Sequence, residues 1–296
     1  MNCGYVALIG RPNVGKSTLM NHLLGQKLSI TSRKPQTTRH RIIGIKTTAE
    51  GQAIFMDTPG MHQDEKKVLN RHLNKTADST LLGVDLVLWL LDGLYWHEYD
   101  EQIFNKLRYA GLPVILVINK IDKIKDKQAF LAFFSEAREK FPFQEIIPVS
   151  ALKKTNLDLL EKHVMALLPV AEPIYPEDQI TDRPERFFVA EIVREKLTRR
   201  LGDELPYALT VEIELYEEHP DLCKIYANIW VERSSQKSIV IGKQGEMLKN
   251  IGTEARIDIE KLIGQKVYLQ LWVKVKKGWS DSERALQSLG FIDTLN

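Results

Sequence analysis

The stretch GRPNVGKS at residues 10–17 decides the fold class of the first half of this 296-residue chain. It follows a short apolar run, YVALIG at residues 5–10, and it opens residues 16–25, in which Leu and Met recur at helical spacing. The stretch fits G-x-x-x-x-G-K-[ST], a pattern that binds phosphate when it lies between a strand and a helix. The sequence therefore predicts a strand, a phosphate-binding loop and a helix in succession.

The residue types of this loop suit the phosphates of a nucleotide. Gly10 and Gly15 let backbone N–H groups close on phosphate oxygens at a helix N-terminus. Lys16 supplies positive charge to the β and γ oxygens, and the Ser17 hydroxyl can ligate Mg²⁺. The alternative is a glycine turn that only joins the strand to the helix. We expect the nucleotide to contact Gly10, Asn13, Val14, Gly15, Lys16, Ser17 and Thr18.

The strand and helix unit recurs along the first half. Four further apolar runs are predicted to be buried strands, at residues 53–57, 84–92, 114–120 and 145–150. Residues 98–111 and 127–141 carry apolar side chains at helical spacing. This alternation predicts an α/β domain with a mostly parallel, doubly wound sheet, whose ligands bind at the carboxyl ends of the strands.

The sequence NKID at residues 119–122 follows one of these strands and identifies the base. A carboxylate at Asp122 can accept from both N1–H and the 2-amino group of guanine, a donor pair that adenine lacks, so GTP is preferred over ATP. We expect Asn119 to brace the loop and the stem of Lys120 to cover the base. The segment after the next strand is expected to reach the guanine O6 through its backbone; it comprises Ser150, Ala151 and Leu152.

Two further stretches complete the predicted site. In DTPG, residues 57–60, Asp57 can hold Mg²⁺ through water, and the Gly60 N–H can meet the γ-phosphate. The polar stretch PQTTRHR at residues 35–41 is the predicted first switch, with Thr38 as the Mg²⁺ ligand and Thr37 as the alternative. The predicted metal ligands are Ser17, Thr38 and Asp57. The residues expected to act in hydrolysis are Lys16, Thr38, Asp57 and Gly60.

These five elements resemble the translation-factor-related branch of the small GTPases, and PNVGKST with TTRHR and DTPG is similar to the TrmE-Era group. The resemblance implies Mg²⁺-dependent hydrolysis of GTP to GDP and phosphate. Many GTPases carry a glutamine just after DxxG, whereas this group carries a hydrophobic residue there, which Met61 matches. In some members a potassium ion, held partly by the phosphate-loop asparagine, supplies positive charge during hydrolysis. Asn13 matches that asparagine, which adds it to the catalytic residues.

The second half begins after a predicted linker. Residues 171–184 are rich in proline and acidic residues, with little periodicity, and we place them between a GTPase domain at 1–170 and a second domain at 185–296. A predicted helix that ends at Gly202 is followed by three alternating segments. Their apolar faces are predicted to be 209, 211, 213 and 215; 225, 227, 229 and 231; and 269, 271, 273 and 275. Antiparallel or mixed pairing with one covered face follows.

The sequence GKQG at residues 242–245 lies between the second and third of these strands and opens a predicted helix. Two glycines let a nucleic-acid backbone approach closely, and the N–H groups of the helix N-terminus favour phosphate. Residues 233–277 carry 10 basic and 4 acidic side chains, the footprint expected of nucleic-acid contact. A plain turn beside a solvated charged face is the alternative. The predicted RNA contacts are Ile241, Gly242, Lys243, Gln244, Gly245 and Lys249.

The order helix, strand, strand, helix, helix, strand resembles a type II KH domain of α+β class. A GTPase domain followed by such a domain resembles one branch of the TrmE-Era group over essentially the whole chain. This implies a switch that binds the 3′ end of small-subunit (16S) ribosomal RNA and assists assembly of the 30S subunit. It also implies a monomer in the cytoplasm that associates peripherally with the inner face of the cell membrane. The alternative is a GTPase with another RNA or protein partner and a purely structural GxxG loop.

Composition supports this interpretation, and two other function classes are disfavoured. Two cysteines favour a reducing compartment, and the longest apolar run, LVLWLL at 86–91, is too short to span a membrane. A metabolic P-loop kinase is disfavoured because NKID argues against ATP. An RNA-binding module with a merely structural nucleotide site is disfavoured because Lys16, Ser17, Thr38 and Asp57 are all present.

Overall fold

The computed structural model describes residues 1–32, 34, 37–59, 68–202, 205–289 and 291. Contacts between residues divide the chain into two compact units. The first comprises residues 1–29, 38–62 and 73–182, and the second comprises residues 30–37, 63–72 and 183–296, each as far as it is described. Each unit has a hydrophobic core of its own.

Strands and helices alternate through the first half of the chain. The strands are β1 (Asn2–Ile9), β2 (Ile42–Thr47), β3 (Gly51–Asp57), β4 (Leu86–Asp92), β5 (Val114–Asn119) and β6 (Glu145–Pro148). The helices are α1 (Lys16–Leu24), α2 (Val68–Ser79), α3 (Glu98–Ala110), α4 (Lys127–Lys140) and α5 (Leu157–Leu167). The apolar runs form the central strands because both faces of a parallel sheet are covered.

The six strands form one sheet in the order β2-β3-β1-β4-β5-β6. Strand β2 is antiparallel to β3, and every other neighbouring pair is parallel. The predicted mostly parallel sheet is therefore confirmed. Because parallel strands end at the same edge, the sheet carries the phosphate loop after β1, Asp57 at the end of β3 and Asn119 at the end of β5 to one side of the unit.

Strand β2 is an element that the sequence patterns do not predict. Its sequence, IIGIKT, has no clean alternation of apolar and polar residues. The strand is stabilised by its antiparallel pairing with β3. The far edge of β2 is covered in turn by the predicted linker. The Ile45 N–H donates to the Ile180 carbonyl (2.9 Å), and the Thr181 hydroxyl donates to the Ile43 carbonyl (2.8 Å). Residues 171–182 consequently group with the first unit.

The second unit has α+β architecture. Its helices are α6 (Glu185–Arg200), α7 (Ser234–Ile241), α8 (Glu246–Ile263) and α9 (Glu283–Ser288), and its strands are β7 (Leu209–Glu218), β8 (Cys223–Val231) and β9 (Val267–Val275). The sheet order is β7-β8-β9, with β7 antiparallel and β9 parallel to β8. The pairing is thus mixed, one of the two arrangements expected. Helices α6 and α8 cover one face of this sheet.

The predicted core faces of β8 and β9 are correct, but that of β7 is wrong at its end. A β-bulge lies between Ile213 and Leu215, and it shifts the alternation of the strand by one residue. Tyr216 therefore packs against the core in the place expected for Leu215. The cap of the last helix lies within the SDSE stretch at residues 280–283. Ser282 caps α9 by accepting from the Ala285 N–H (3.3 Å), whereas Ser280 bonds to Glu232.

The cysteines and the lengths of the apolar helices bear on where the protein can reside. Cys3 and Cys223 are both buried and free. No helix in the described part of the chain is long and apolar enough to cross a membrane.

Candidate nucleotide site and nucleic-acid interface

Two glycines of the phosphate loop hold conformations that other residues resist. Gly10 has φ 143°, and a Cβ there would lie 2.4 Å from the Leu90 carbonyl oxygen. Gly15 has φ 106°, and a Cβ there would lie 2.3 Å from the side-chain nitrogen of Asn119. Gly15 is also the N-cap of α1, without a side-chain cap. The N-terminal N–H groups of α1 are therefore presented in the way that binds phosphate.

Lys16 lies curled within this loop. Its Nζ donates to the carbonyls of Gly10 (2.8 Å) and Arg11 (3.0 Å), which places the ammonium in the middle of the loop. Burial lowers the pKa of Lys16 to about 8, and the nearby Asp57 carboxylate partly opposes this effect. Because the Lys16 ammonium is poorly solvated, an anion beside it would strongly stabilise its charged form.

The three predicted metal ligands lie together. Ser17 Oγ donates to Asp57 Oδ2 (2.6 Å) and lies 3.0 Å from Thr38 Oγ1, which is 3.4 Å from the same carboxylate oxygen. The second carboxylate oxygen, Asp57 Oδ1, is buried and has no hydrogen-bond partner among the described residues. Two hydroxyls and a carboxylate with an unused oxygen are the hard donors that Mg²⁺ prefers, so the residues fit this ion. The hydroxyl of the alternative ligand, Thr37, donates instead to the Lys34 carbonyl (2.6 Å).

Electrostatics support a cation in the same place. Burial raises the pKa of Asp57, while the hydrogen bond from Ser17 and the charge of Lys16 lower it. A divalent cation at the buried carboxylate would hold it in the ionised form. No cluster of three His, Cys, Asp or Glu side chains suited to a metal occurs in the described chain, so Mg²⁺ here would be held by the single carboxylate of Asp57 together with hydroxyl, water and phosphate oxygens.

Asn119 joins the three loops that surround the base. Its Nδ2 donates to the Val14 carbonyl in the phosphate loop (2.7 Å), and its Oδ1 accepts from Lys120 N (2.8 Å) and Ala151 N (3.0 Å). Every polar atom of this buried amide is used. Asn119 therefore makes the hydrogen bonds expected of a brace in its own loop. It also bonds to Val14 and Ala151 in two other loops, which the sequence does not indicate.

Lys120 and Asp122 are held by different partners. Lys120 has φ 64°, and its Nζ donates to the Asn13 carbonyl (2.8 Å) and to Asp92 Oδ2 (2.7 Å), which stretches its stem across the site. Asp122 accepts from Ser150 Oγ (2.5 Å), and this bond lowers the pKa of Asp122. The carboxylate is thus ionised at neutral pH and able to accept two hydrogen bonds.

Asp92 is a site residue that the sequence patterns miss. It ends β4 opposite Asn119 in the neighbouring strand, and it binds both Lys120 and the guanidinium of Arg11 (3.1 Å). Its position at a strand's carboxyl end is the only signal that could have identified it. Gly60 and Met61, which the sequence also assigns to the site, lie outside the described residues.

The GKQG loop of the second unit has the form expected of a backbone clamp. Gly242 has φ 74° and ψ 179°, and a Cβ there would lie 2.5 Å from that of Met247, so only glycine fits. Gln244 has φ 52°, and Gly245, with φ 80°, is the N-cap of α8. The loop thus turns sharply with its backbone close to the surface.

The other predicted RNA contacts surround this turn. The side chains of Lys243, Gln244 and Lys249 are exposed, whereas Ile241 packs against the core of the unit. The acidic residues of α8 are mostly paired, because Glu254 bonds to Arg200 and Glu260 bonds to Arg256. The cations at the loop are therefore left as the prevailing local charge.

Together, the doubly wound sheet, the phosphate loop and the NKID loop define a guanine-nucleotide-binding P-loop protein with a KH domain. Comparison with family models agrees: residues 5–120 match a family described as 50S ribosome-binding GTPase, and residues 204–280 match the KH domain. The chain is 56% identical to GTPase Era of Marinobacter nauticus over 98% of this chain and 95% of the relative. It is 54% identical to GTPase Era of Vibrio cholerae, over 99% and 91% respectively. The chain belongs to the Era family of GTPases.

Two solved structures are similar over the same extent. A variant of Aquifex aeolicus Era bound to GDP·AlF4⁻ has a TM-score of 0.95 and 43% identity, covering 98% of this chain and 99% of that one. Era in complex with MgGDPNP and nucleotides 1506–1542 of 16S ribosomal RNA has a TM-score of 0.94, with the same identity and coverage.

Proposed function

We propose that this protein is a GTP-hydrolysing switch that binds the 3′ end of 16S ribosomal RNA and assists assembly of the 30S subunit. The observation that carries the enzymatic part is the meeting of Ser17, Thr38 and Asp57 beside the buried Lys16. The RNA part is supported by the GKQG loop and by the Era complex that contains nucleotides 1506–1542.

In this proposal, Ser17, Thr38 and Asp57 hold Mg²⁺, and Lys16 binds the β and γ oxygens. The ion supplies positive charge to the phosphates. The backbone from Gly10 to Thr18 orients the phosphates, with Asn13 and Val14 inside that loop. Asp122 selects guanine, Lys120 covers the ring, and the backbone of 150–152 faces O6. Gly60 is proposed to contact the γ-phosphate, as the sequence predicts.

Asn13 is proposed to help hold a potassium ion during hydrolysis. It lies in the phosphate loop with φ 64°, and its carbonyl accepts from Lys120 Nζ (2.8 Å). A monovalent cation there would offset charge that develops on the transferring phosphoryl group. Hydrolysis that is several-fold faster in potassium than in sodium chloride, with the difference lost in Asn13→Ala, would support this role.

The switch is proposed to act through the first switch segment. Residues 30–37 group with the second unit, whereas the next residue, Thr38, belongs to the first. A Thr38 hydroxyl that binds Mg²⁺ beside GTP and releases it after hydrolysis would change the order of the switch segment around it. We propose that RNA affinity at GKQG follows the nucleotide state for this reason.

The proposed location is the cytoplasm, with the protein acting as a monomer that associates peripherally with the inner face of the membrane. The two buried, free cysteines suit a reducing compartment. Sedimentation velocity and cell fractionation would test the oligomeric state and the membrane association.

The function is tested by recovering crosslinked RNA from cell extract. Wild-type protein and a Lys243→Asp, Gln244→Asp variant are each loaded with a non-hydrolysable GTP analogue or with GDP. We expect the 3′ end of 16S ribosomal RNA to be enriched by the wild-type protein with the GTP analogue and to be lost in the variant. Equal recovery in all four samples would leave a GTPase whose glycine loop is a turn and whose partner is a different RNA or a protein.

A further inference from the structure

The face of the second sheet that α6 and α8 leave uncovered carries an unusual set of side chains. Alternation along β8 and β9 directs one set into the core and the other set outward. The outward set combines four aromatic rings with lysines and amides, and we call it the sheet face. It consists of Lys224, Tyr226, Asn228, Trp230, Tyr268, Gln270, Trp272 and Lys274.

Two of the four rings on the sheet face are exposed, and the other two are half-buried. Tyr268 and Trp272 are 49% and 46% exposed, although each lies on a strand with a well-packed opposite side. They stand four residues apart on β9, about 13 Å along the strand, which leaves room for separate ligand groups. Tyr226 stands beside Tyr268, with ring centroids 6.3 Å apart. Large exposed rings on a sheet are costly to leave in water, and they mark binding surfaces.

Cations are placed against these rings. Lys274 and Lys276 lie 5.7 Å and 5.6 Å from the centroid of Trp230, and Lys224 lies 5.3 Å from that of Tyr226. The two carboxylates at the β7 side are engaged, since Glu212 accepts from Trp230 Nε1 (2.8 Å) and Glu214 pairs with Lys274 (3.5 Å). Lysines therefore stand beside the rings, with glutamates of β7 as their neighbours, and Lys276 has no carboxylate partner among these contacts.

An unsatisfied amide lies at the centre of the face. Asn228 is opposite Trp272 in the strand pairing and only 3% exposed, and its Oδ1 has no hydrogen-bond partner among the described residues. A buried acceptor without a partner is rare and points to a donor that a ligand brings. Nucleobase N–H groups are such donors.

We propose that the sheet face is a second binding surface for single-stranded RNA, separate from the GKQG loop. Bases stack on Trp272 and Tyr268, phosphates lie against the lysines, and Asn228 Oδ1 accepts from a base. Aromatic rings on an open sheet, interleaved with cations, are the combination by which single strands bind with little sequence preference.

The test uses full-length protein and fluorescein-labelled dodecauridylate, U12, with affinity measured by anisotropy. The Lys243→Asp, Gln244→Asp variant is expected to retain part of the binding. Adding Tyr268→Ala and Trp272→Ala to it should weaken binding by at least a further ~25-fold, because two stacked bases are lost at roughly 5- to 150-fold each. Tyr109→Ala removes a 93% exposed ring from α3 of the first unit and should change nothing. RNA-free GTP hydrolysis and thermal unfolding of each variant report on folding.

Intrinsic tryptophan fluorescence provides a second measurement. U12 should quench the fluorescence of the Lys243→Asp, Gln244→Asp variant, and Trp272→Phe should reduce that quenching, because Trp272 is 46% exposed whereas Trp89 and Trp279 are fully buried. Unchanged U12 affinity after removal of both rings would overturn the proposal. A second result would also overturn it. If wild-type protein retained a protein from ribonuclease-treated extract, and the variant with Tyr268→Ala and Trp272→Ala did not, the sheet face would be a protein-binding surface. Because U12 has no ribosomal sequence, failure to bind nucleotides 1506–1542 would count against the proposed function alone.

Discussion

The side-chain amide of Asn119 donates to the main-chain carbonyl of Val14 across 2.7 Å and so ties the base-binding loop to the phosphate loop. The same side chain accepts from the N–H groups of Lys120 and Ala151. The loops proposed to bind the base and the phosphates are therefore linked through one buried residue.

Replacing Asn119 should weaken nucleotide binding because the brace between the loops is lost. Asn119→Ala leaves the Val14 carbonyl and the Ala151 N–H unpaired, and each such loss costs about 1–3 kcal/mol. We expect GDP affinity by calorimetry to fall roughly 10- to 100-fold. The exposed Gln128→Ala on α4 serves as the control. Wild-type affinity in Asn119→Ala would mean that the loops hold their positions without this brace.

Gly15 and Gly25 form a matched pair of glycine substitutions. Both have positive φ, but a Cβ at Gly15 would collide with Asn119, whereas one at Gly25 meets nothing. Gly25→Ala should cost about 1 kcal/mol of stability through strain alone. Gly15→Ala should in addition reduce GDP affinity at least about tenfold, because the Asn119 brace is displaced. Similar GDP affinities for the two variants would show that the collision has no functional effect.

In the proposed function, the base preference rests on the charge of Asp122. Its pKa is lowered by the hydrogen bond from Ser150, so it would accept from guanine as a carboxylate. Asp122→Asn replaces one acceptor oxygen with a donor, which suits a base with a carbonyl at position 2. We expect GTP affinity to fall on the order of 100-fold and xanthosine triphosphate affinity to rise. A competition assay with both nucleotides measures the change, and an unaltered preference for GTP would place base recognition elsewhere.

Thr38 and Thr37 test the assignment of the magnesium ligand. The Thr38 hydroxyl lies with Ser17 and Asp57, whereas that of Thr37 bonds to the Lys34 carbonyl. In single-turnover hydrolysis, Thr38→Ala should raise the Mg²⁺ concentration for half-maximal rate on the order of tenfold, and Thr37→Ala should not. The reverse result would assign the ligand to Thr37.

Lys16 should make nucleotide binding depend on pH. Burial lowers its pKa to about 8, and a bound phosphate favours the charged form and raises that pKa. Below pH 8 the lysine is charged with or without nucleotide. Above pH 8 the free protein loses the proton, so binding must restore it, and affinity falls towards about tenfold per pH unit. Calorimetry at pH 9 in buffers of different ionisation enthalpy should show proton uptake that is absent at pH 7. Equal enthalpies at pH 9 would contradict this.

The residues of the nucleotide site were predictable from the sequence because each motif is local and each residue type has a direct chemical use. Lys16, Ser17, Asp57 and Asn119 lie in continuous stretches at strand ends, where a parallel sheet gathers them. The α/β class of the first unit was predictable because the spacing of apolar residues is also a local signal.

Features that depend on distant partners were not predictable. Asp92 becomes a site residue only because β4 and β5 pair in register, and β2 forms because β3 offers an edge. The bulge after Ile213 follows from the fit of β7 against β8 rather than from local pattern. The packing of Ile180 along β2 likewise turns a proline-rich segment into part of the first unit.

The most direct test of the account is the affinity of the full-length protein for RNA comprising nucleotides 1506–1542 of 16S ribosomal RNA, measured by anisotropy in two nucleotide states. We predict tighter binding with a non-hydrolysable GTP analogue and Mg²⁺ than with GDP, and loss of that binding in Lys243→Asp, Gln244→Asp. Equal affinity in both nucleotide states, or binding that the double substitution leaves unchanged, would contradict a GTP-controlled switch acting through the GKQG loop.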